Sequence, residues 1–222
     1  MLKPSRKILR KEIKKDPLLE GFEKIERGFE KNRKILFNTL IILTALTFGV
    51  MIFINNQNKI EMESSSAFGT ALVAYSNLDY DNAKFQFESI SSSYEGTESE
   101  IFSDYYMGKI SYELGDYDEA KLFLNDFLEN TKDAILVCGA IKLLIDISFQ
   151  ENNFLKSFEI LAKGKKFDIN NISKLELKLL EINTYIKIND LENARIEIGK
   201  ILNNSDLPLY VRQKVDELQG ML

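Results

Sequence analysis

The longest apolar stretch of the chain is the segment 35–54, which holds 20 residues and no charged side chain. Hydrocarbon cannot hydrogen-bond a peptide group, so such a run is best satisfied as a helix, and at about 1.5 Å per residue it crosses a bilayer core of about 30 Å. We therefore predict one transmembrane helix here. A buried core helix is the first alternative, but such helices seldom exceed about 14 uninterrupted apolar residues.

A cleaved signal peptide is the second alternative for the same stretch. Its apolar region is typically about 7 to 15 residues long and ends in a small-x-small cleavage site. The segment 35–54 is longer, and the polar residues at 55–58 (NNQN) that follow it contain no such site. We therefore expect the helix to stay in the chain as an anchor.

Upstream of this stretch, apolar side chains recur at spacings of four, three and four, with Glu and Lys opposite, which predicts an amphipathic helix. They are Leu18, Phe22, Ile25 and Phe29. Asp16 and Pro17 form a helix start, because Asp caps free N–H groups and Pro fits the first turn. This helix either lies on the inner leaflet, pairs with a partner helix or forms a short stalk. Residues 1–15 are rich in Lys and Arg, and we expect them to be loosely ordered.

Beyond a polar linker at residues 55–66, one pattern recurs at intervals of 37 residues. The four aligned segments are LDYDNA at 78–83, GDYDEA at 115–120, NNFLKS at 152–157 and NDLENA at 189–194. Each has a turn, then an aromatic residue or Leu, then a small residue. The turn ends one helix, and Asp or Asn begins the next. The small residue lets two helices approach closely, so the pattern predicts a repeat of helical hairpins.

Local signals give the expected helix bounds. Thr97 with Glu100, and Ser173 with Glu176, each match the S/T-x-x-E capping box that opens a helix. The predicted helices cover residues 64–78, 81–93, 99–115, 118–130, 133–150, 154–164, 173–188 and 191–203. Pro208 begins a final helix, whose apolar side consists of Leu207, Val211, Val215 and Leu218. A helical solenoid needs such a terminal helix, which covers the last hairpin with its apolar side and exposes its polar side to water.

The repeat resembles the tetratricopeptide repeats, and the second repeat carries the resemblance best. Six of its residues stand at the spacings that the family expects for the first-helix Gly, the turn, the wedge aromatic, the small residue and two later apolar sites. The wedge aromatic is the ring that fills the space beside the small residue. In that order, the six are Gly108, Gly115, Tyr117, Ala120, Leu124 and Phe127. The other repeats have Ala71, Ile145 and Ile182 at the first-helix Gly position, none ends in Pro, and the period is 37 instead of 34. The resemblance implies a solenoid in which the first helix of each hairpin lines a concave surface.

These patterns predict an all-α chain with four parts. A cytoplasmic basic tail with the amphipathic helix covers residues 1–34, the single transmembrane helix 35–54, and the linker 55–66. A tetratricopeptide-like α-solenoid of about four hairpins and a C-terminal capping helix covers residues 67–222.

Charge predicts the orientation of the chain. Residues 1–34 hold 12 Lys and Arg against 6 Asp and Glu, whereas residues 55–222 hold 17 against 28. Positively charged flanks stay in the cytoplasm, so we expect the N-terminus inside and the C-terminal domain outside. The acidic outer domain argues against nucleic acid as a partner, because nucleic-acid binding requires a basic surface.

The composition favours binding over catalysis. The chain has no His and a single Cys, so it lacks the usual general base and cannot form an internal disulfide. Cys138 has small or apolar neighbours, and we interpret it as a packing residue. The paired Asp residues at 79, 81, 116 and 118 occur at hairpin turns, where helix capping explains them. No phosphate loop, Cys/His cluster or calcium loop is present, and we expect no enzymatic activity, cofactor or metal.

The resemblance to tetratricopeptide repeats implies a peptide-binding groove on the first helices. Carried over by position, the candidate residues are Phe68, Leu72, Tyr75, Phe102, Tyr105, Lys109, Tyr112, Lys142, Asp146 and Phe149. The six aromatic rings among them can hold an extended or partly unfolded peptide at modest entropic cost. The alternative is that several of them pack between repeats. We expect Tyr105 and Tyr112 to be the exposed pair.

From about residue 20 to its end, the chain also resembles the ancillary SecYEG translocon subunit family, the YfgM-like proteins. That resemblance implies a periplasmic domain at the bacterial inner membrane, beside the protein-export channel and a membrane-anchored folding chaperone. It predicts a protein-binding adaptor whose partners are translocon or chaperone subunits and exported chains. The alternative is an envelope scaffold for cell division or cell-wall assembly.

Overall fold

The computed structural model describes residues 17–134, 136–203 and 207–222. Within these ranges all regular structure is α-helical, which confirms the predicted fold class. The helices are α1 (Pro17–Ser76), α2 (Tyr80–Ser93), α3 (Glu98–Glu113), α4 (Tyr117–Asn130), α5 (Val137–Gln150), α6 (Lys156–Gly164), α7 (Asn171–Lys187), α8 (Leu191–Leu202) and α9 (Leu209–Gln219). The chain forms two compact units, Met1–Gln57 and Asn58–Leu222. Residues 1–15, expected to be loosely ordered, and the predicted Asp16 cap lie outside the described residues.

The first unit contains the apolar segment of α1. Large apolar side chains between Ile35 and Ile54 are between 44% and 69% exposed. Among the described residues, α1 is the one helix long and apolar enough to cross a membrane, and its most apolar window has a mean hydropathy of 2.3 with no residue buried. The hydroxyl of Thr39 donates to the carbonyl oxygen of Ile35 at 2.8 Å, so this polar side chain is satisfied within the helix.

α1 continues through residues 55–66, so the prediction that the first repeat helix begins at residue 64 is wrong. Residues 50–68 contain neither Gly nor Pro, and nothing interrupts a helix already nucleated upstream. The compact repeat unit begins at Asn58. Within it, Ser64 is fully buried, and its hydroxyl donates to the hydroxyl of Ser99 in α3 at 3.1 Å.

The interval of 37 residues is visible in the backbone of the repeat unit. One residue in the turn of each hairpin has a positive φ: Leu78 (61°), Gly115 (80°), Asn152 (55°) and Asn189 (61°). Five residues after each of these stands the small residue of the repeat, and all four small residues are 0% exposed: Ala83, Ala120, Ser157 and Ala194. Each hairpin therefore has the same left-handed turn and the same close contact between its two helices.

The capping predictions have different outcomes. The hydroxyl of Thr97 accepts from the N–H of Glu100 at 3.2 Å, and the Glu100 carboxylate accepts from the N–H of Gly96 at 2.6 Å. Thr97 therefore caps α3 as expected. The bond from the Glu100 carboxylate, however, goes to Gly96, the residue before the cap, and not to the N–H of Thr97. The turn residue Asp116 likewise caps α4 by accepting from the N–H of Glu119 at 3.1 Å. Asp79 makes no such bond to the backbone of α2.

The capping box predicted at Ser173 and Glu176 is wrong. α7 begins two residues earlier than expected, because the side chain of Asn170 accepts from the N–H of Ser173 at 2.8 Å and forms the cap. The carboxylate of Glu176 lies 2.9 Å from Nζ of Lys142 in α5 instead. Two other helices instead begin later than predicted, since α5 begins at Val137 and α6 at Lys156.

The core runs through the hairpins in three clusters. The first joins α1, α2 and α3, the second extends from α3 to α7, and the third joins α7, α8 and α9. Cys138 belongs to the second cluster, and burial raises the pKa of its thiol, as expected of a packing residue. In α9, Val211 and Val215 are 0% exposed, so the predicted apolar side of this helix faces the core.

Candidate functional site

The first helices of the hairpins form a row, and we call their exposed surface the first-helix face. It consists of residues 58–76 of α1 together with α3, α5, α7 and α9. α3 packs on α5, α5 on α7, and α7 on α9. At the start of the row, the rings of Phe68 and Tyr75 in α1 lie 5.7 Å and 5.3 Å from that of Tyr106 in α3.

The ten candidate residues lie on the first three of these helices. Nine of them are half-buried, and Tyr105 is buried. Nine also stand at three positions that recur every 37 residues. The three rows are Phe68, Tyr105 and Lys142; Leu72, Lys109 and Asp146; and Tyr75, Tyr112 and Phe149.

The expectation that Tyr105 is exposed is wrong, because its side chain is only 7% exposed. Its ring lies 5.2 Å from that of Tyr106 and 5.5 Å from that of Phe127. A Cβ atom at Gly139 in α5 would stand 2.6 Å from the Tyr105 hydroxyl, so the absence of a side chain at Gly139 makes room for this group. Burial also raises the pKa of Tyr105. Tyr105 therefore packs between repeats and does not line the surface.

The third row packs within its own hairpins. Each ring meets the aromatic residue at or just before the start of the second helix. The centroid distances are 5.8 Å for Tyr75 and Tyr80, 5.9 Å for Tyr112 and Tyr117, and 5.6 Å for Phe149 and Phe154. Aromatic pairs at such distances contribute beyond their area burial. These contacts fix the rings while leaving them half-buried, so they can still contact another molecule.

Tyr106, which is not among the ten residues predicted from the sequence, stands at the centre of the aromatic cluster at the start of the row. Its ring is stacked on that of Phe87 in α2 at 5.4 Å and contacts three of the candidate rings, Phe68, Tyr75 and Tyr105. The 37-residue interval gives no signal for it, because the equivalent positions hold one Gly and two Leu. Phe68 therefore belongs in part to the core, with its own ring 5.6 Å from Phe87.

Three polar interactions of the candidate residues cross from one first helix to the next. Nζ of Lys109 lies 5.3 Å from the ring centroid of Tyr75, a cation–π distance. The hydroxyl of Tyr112 donates to the carboxylate of Asp146, and this bond, with burial, raises the pKa of Tyr112 to about 12. Lys142 and Glu176 form the third interaction, the ion pair of α5 and α7. The face therefore carries positive and negative groups in turn.

The ion pair between Lys142 and Glu176 is charged at neutral pH. Burial alone would raise the pKa of Glu176, but the Lys142 ammonium outweighs it and holds that pKa below its usual value. The carboxylate in turn raises the pKa of Lys142. Neither group is thus poised to exchange a proton near pH 7, so the pair is suited to binding and positioning.

The first-helix face extends beyond the ten predicted residues, to α7 and α9. A cavity of about 170 Å³ is lined by residues of α5, α7 and α9, among them Lys142, Glu176, Asn183, Lys214 and Glu217. Asn183 stands 37 residues after Asp146, so the repeat interval signals its position. In the part of the chain that the structure describes, no group of three or more His, Cys, Asp and Glu is placed to hold a metal ion.

The chain matches the family described as Tetratricopeptide repeat-like domain over residues 27–170, which is 144 of its 222 residues. The comparison with curated proteins and the comparison with solved structures each found no match. The matched residues include the apolar segment of α1 and the hairpins through α6. α7 and α8 continue the same 37-residue pattern beyond the match.

Proposed function

Because the chain belongs to the tetratricopeptide repeat-like domain family, we propose that it is a membrane-anchored, non-enzymatic adaptor that binds proteins or peptides on its first-helix face. The observation that carries this proposal is the face itself. It combines half-buried aromatic rings with Lys109, Asp146 and the pair of Lys142 and Glu176. Such a surface offers apolar contact area and orienting polar groups to an extended or helical segment.

The anchor in this proposal is the segment 35–54, which stays in the chain as a single transmembrane helix. Its exposed apolar side chains support the anchor, because a bilayer would cover them. The excess of Lys and Arg in residues 1–34 supports a cytoplasmic N-terminus. The repeat domain, residues 67–222, is then extracytoplasmic at the inner membrane of a bacterium, and residues 55–66 connect it to the anchor.

We assign the adaptor to protein export, with translocon subunits, a membrane-anchored chaperone and exported chains as partners. The support is the resemblance of the whole architecture to the ancillary SecYEG translocon subunits. A partly unfolded exported chain presents apolar side chains and free backbone groups, which the rings and polar groups of the first-helix face can contact.

Site-specific photocrosslinking in living cells tests this function. A photoreactive residue at position 109 or 112 places the probe on the first-helix face, where Lys109 and Tyr112 are half-buried. The matched control is position 85 in α2, where Phe85 is 70% exposed on a second helix. We expect the first two probes to capture translocon or chaperone subunits and the control to capture far less. Capture of only division or wall-synthesis proteins would reject the export role.

A second experiment tests the surface separately from the identity of the partner. The double variant Lys109→Ala with Tyr112→Ala removes the polar and aromatic groups, and Leu122→Ala in α4 is the control, since Leu122 is 58% exposed on a second helix. We expect the double variant to lose most capture by a probe at position 149 and the control to keep it, with equal helical circular dichroism. Equal capture by both would show that partners bind elsewhere.

A further inference from the structure

A partly apolar cavity at the connection between α6 and α7 is separate from the ten candidate residues. It has a volume of about 590 Å³. Its apolar wall is formed by Phe167, Ile169, Leu175 and Leu177, and both Ile169 and Leu177 are only 3% exposed. Cavities of roughly 300–1,000 Å³ are typical of small-molecule sites in proteins. The size and the wall therefore suit a small apolar group.

The same cavity is lined by the lysines Lys165, Lys174 and Lys178. They belong to the segment 163–178, which carries 5 of the 17 Lys and Arg of residues 58–222 but only 2 of the 28 Asp and Glu. The segment has an excess of three positive charges (5 − 2), whereas the whole range has an excess of eleven negative ones (28 − 17). Positive charge is thus concentrated in the segment that forms this cavity, within an otherwise acidic domain.

The acidic side chains nearby neutralise these lysines incompletely. Nζ of Lys165 lies 2.9 Å from the carboxylate of Glu181. Lys174 lies 3.6 Å from Asp168, whose side chain is fully exposed, and such a pair contributes little. Among the residues that the structure describes, Lys178 has no hydrogen-bond or ion-pair partner. At least one ammonium group at the cavity is therefore free to bind an anion.

We propose that this cavity binds an anionic amphiphile, with an acyl chain against the apolar wall and a carboxylate or phosphate group among the lysines. A neutral apolar molecule would leave the Lys178 ammonium without a partner, and a free inorganic anion would leave the apolar wall in contact with water. An acyl chain with a terminal anion satisfies both, because it buries apolar area and accepts charge-assisted hydrogen bonds. Fatty acids and phosphatidic acids share this chemistry.

Methyl NMR of the full chain in phosphatidylcholine nanodiscs tests the proposal, with the methyl groups of Ile169, Leu175 and Leu177 as reporters. The probes are octanoate, its neutral analogue octanamide, and dihexanoyl phosphatidic acid. We expect octanoate to shift these methyl signals saturably at about one tenth of the octanamide concentration, since one charge-assisted contact is worth about tenfold in affinity. Saturation by octanoate alone indicates a fatty acid, and saturation by the phosphatidic acid alone indicates a lipid headgroup.

Three variants locate the site. Lys178→Glu should weaken octanoate binding by about tenfold, whereas Lys187→Glu, an exposed position on the same helix but outside the cavity, should leave it unchanged. Asn171→Trp places a ring at the exposed edge of the cavity and should block both anions without removing a core side chain. Equal binding of octanoate and octanamide, equal effects of the two Lys variants, or no saturable shift would each overturn the proposal.

Discussion

A single added methyl group at Gly108 in α3 should destabilise the repeat domain, although Ala normally stabilises a helix relative to Gly. A Cβ atom there would lie 2.7 Å from Cγ of Leu124 and 3.2 Å from its backbone nitrogen. Cγ is the branch point of the Leu side chain, and Leu124 is 0% exposed, so it has little freedom to move aside. Carbon atoms in contact stand about 3.5–4.0 Å apart, so α4 must shift by about 1 Å.

Two opposing effects decide the size of the change for Gly108→Ala. The higher helix propensity of Ala favours the variant by about 1 kcal/mol. Overpacking of a close-packed contact costs about 1–3 kcal/mol, and here the shift also loosens the remaining contacts between α3 and α4. We therefore expect the free energy of unfolding to fall by about 1–2 kcal/mol, out of a typical total of about 5–15 kcal/mol.

Urea unfolding of the full chain in detergent, followed by tyrosine fluorescence, measures this change. All nine Tyr lie between Tyr75 and Tyr210 and the chain has no Trp, so the signal reports only on the repeat domain. Gly199→Ala in α8 is the matched control, because a Cβ there meets no atom within 4 Å. The control should gain about 0.5–1 kcal/mol. A Gly108→Ala variant as stable as the wild type, at an unchanged urea slope, would refute the reasoning.

Three further predictions use the same assay. Ser157→Ala should raise the free energy of unfolding by about 1 kcal/mol, because the buried Ser157 hydroxyl has no hydrogen-bond partner within the described structure and the three equivalent residues are Ala. A lower free energy of unfolding would show that the hydroxyl is satisfied. Leu78→Asn should raise the free energy of unfolding by about 0.5–1 kcal/mol, since Leu78 has a φ of 61° that Asn tolerates better. The control Leu114→Asn, where φ is −82°, should bring no such increase. Burial and the neighbouring Asp126 raise the pKa of Asp104 to about 7. Folding therefore favours its protonated form, and wild-type stability should fall as the pH rises from about 4 to 7. Solvent screening limits the effect, so the Asp104→Asn variant should be more stable than the wild type by about 1–2 kcal/mol above pH 7. A difference in stability between the two proteins that does not change with pH would contradict the raised pKa of Asp104.

The repeat was predictable from the sequence because its determinants are local. A small residue five positions after a turn is sufficient to align the four hairpins, and Ala83, Ala120, Ser157 and Ala194 are all fully buried. The pairing of each third-row ring with a wedge aromatic also follows from spacing along the chain, since the two stand only five positions apart. Helix starts were less predictable, because neighbouring polar residues compete for the cap, as Asn170 and Ser173 do at α7.

The features that the sequence did not reveal depend on distant residues. The burial of Tyr105 requires Gly139, which lies 34 positions away on another helix. The continuous helix through residues 55–66 depends on nucleation upstream, and the polar residues there are compatible with either a helix or a linker. The basic cavity brings the connection after α6 together with the first turns of α7, and the repeat pattern gives no sign that these side chains enclose a space.

The polar groups of the first-helix face have consequences for how it would bind a peptide. Asp146 already accepts from Tyr112, and Lys142 already pairs with Glu176, so a peptide that binds to these groups exchanges one hydrogen bond for another with little net gain. Apolar contact with the half-buried rings has no such cost, and it contributes about 25 cal/mol per Å² of buried area. We therefore expect affinity to come from apolar side chains of the partner. Crosslinking from position 112 should then change by less than about twofold as the ionic strength rises from about 0.1 M to 1 M, where charge pairs are screened. A much larger loss would show that charge pairs carry the binding.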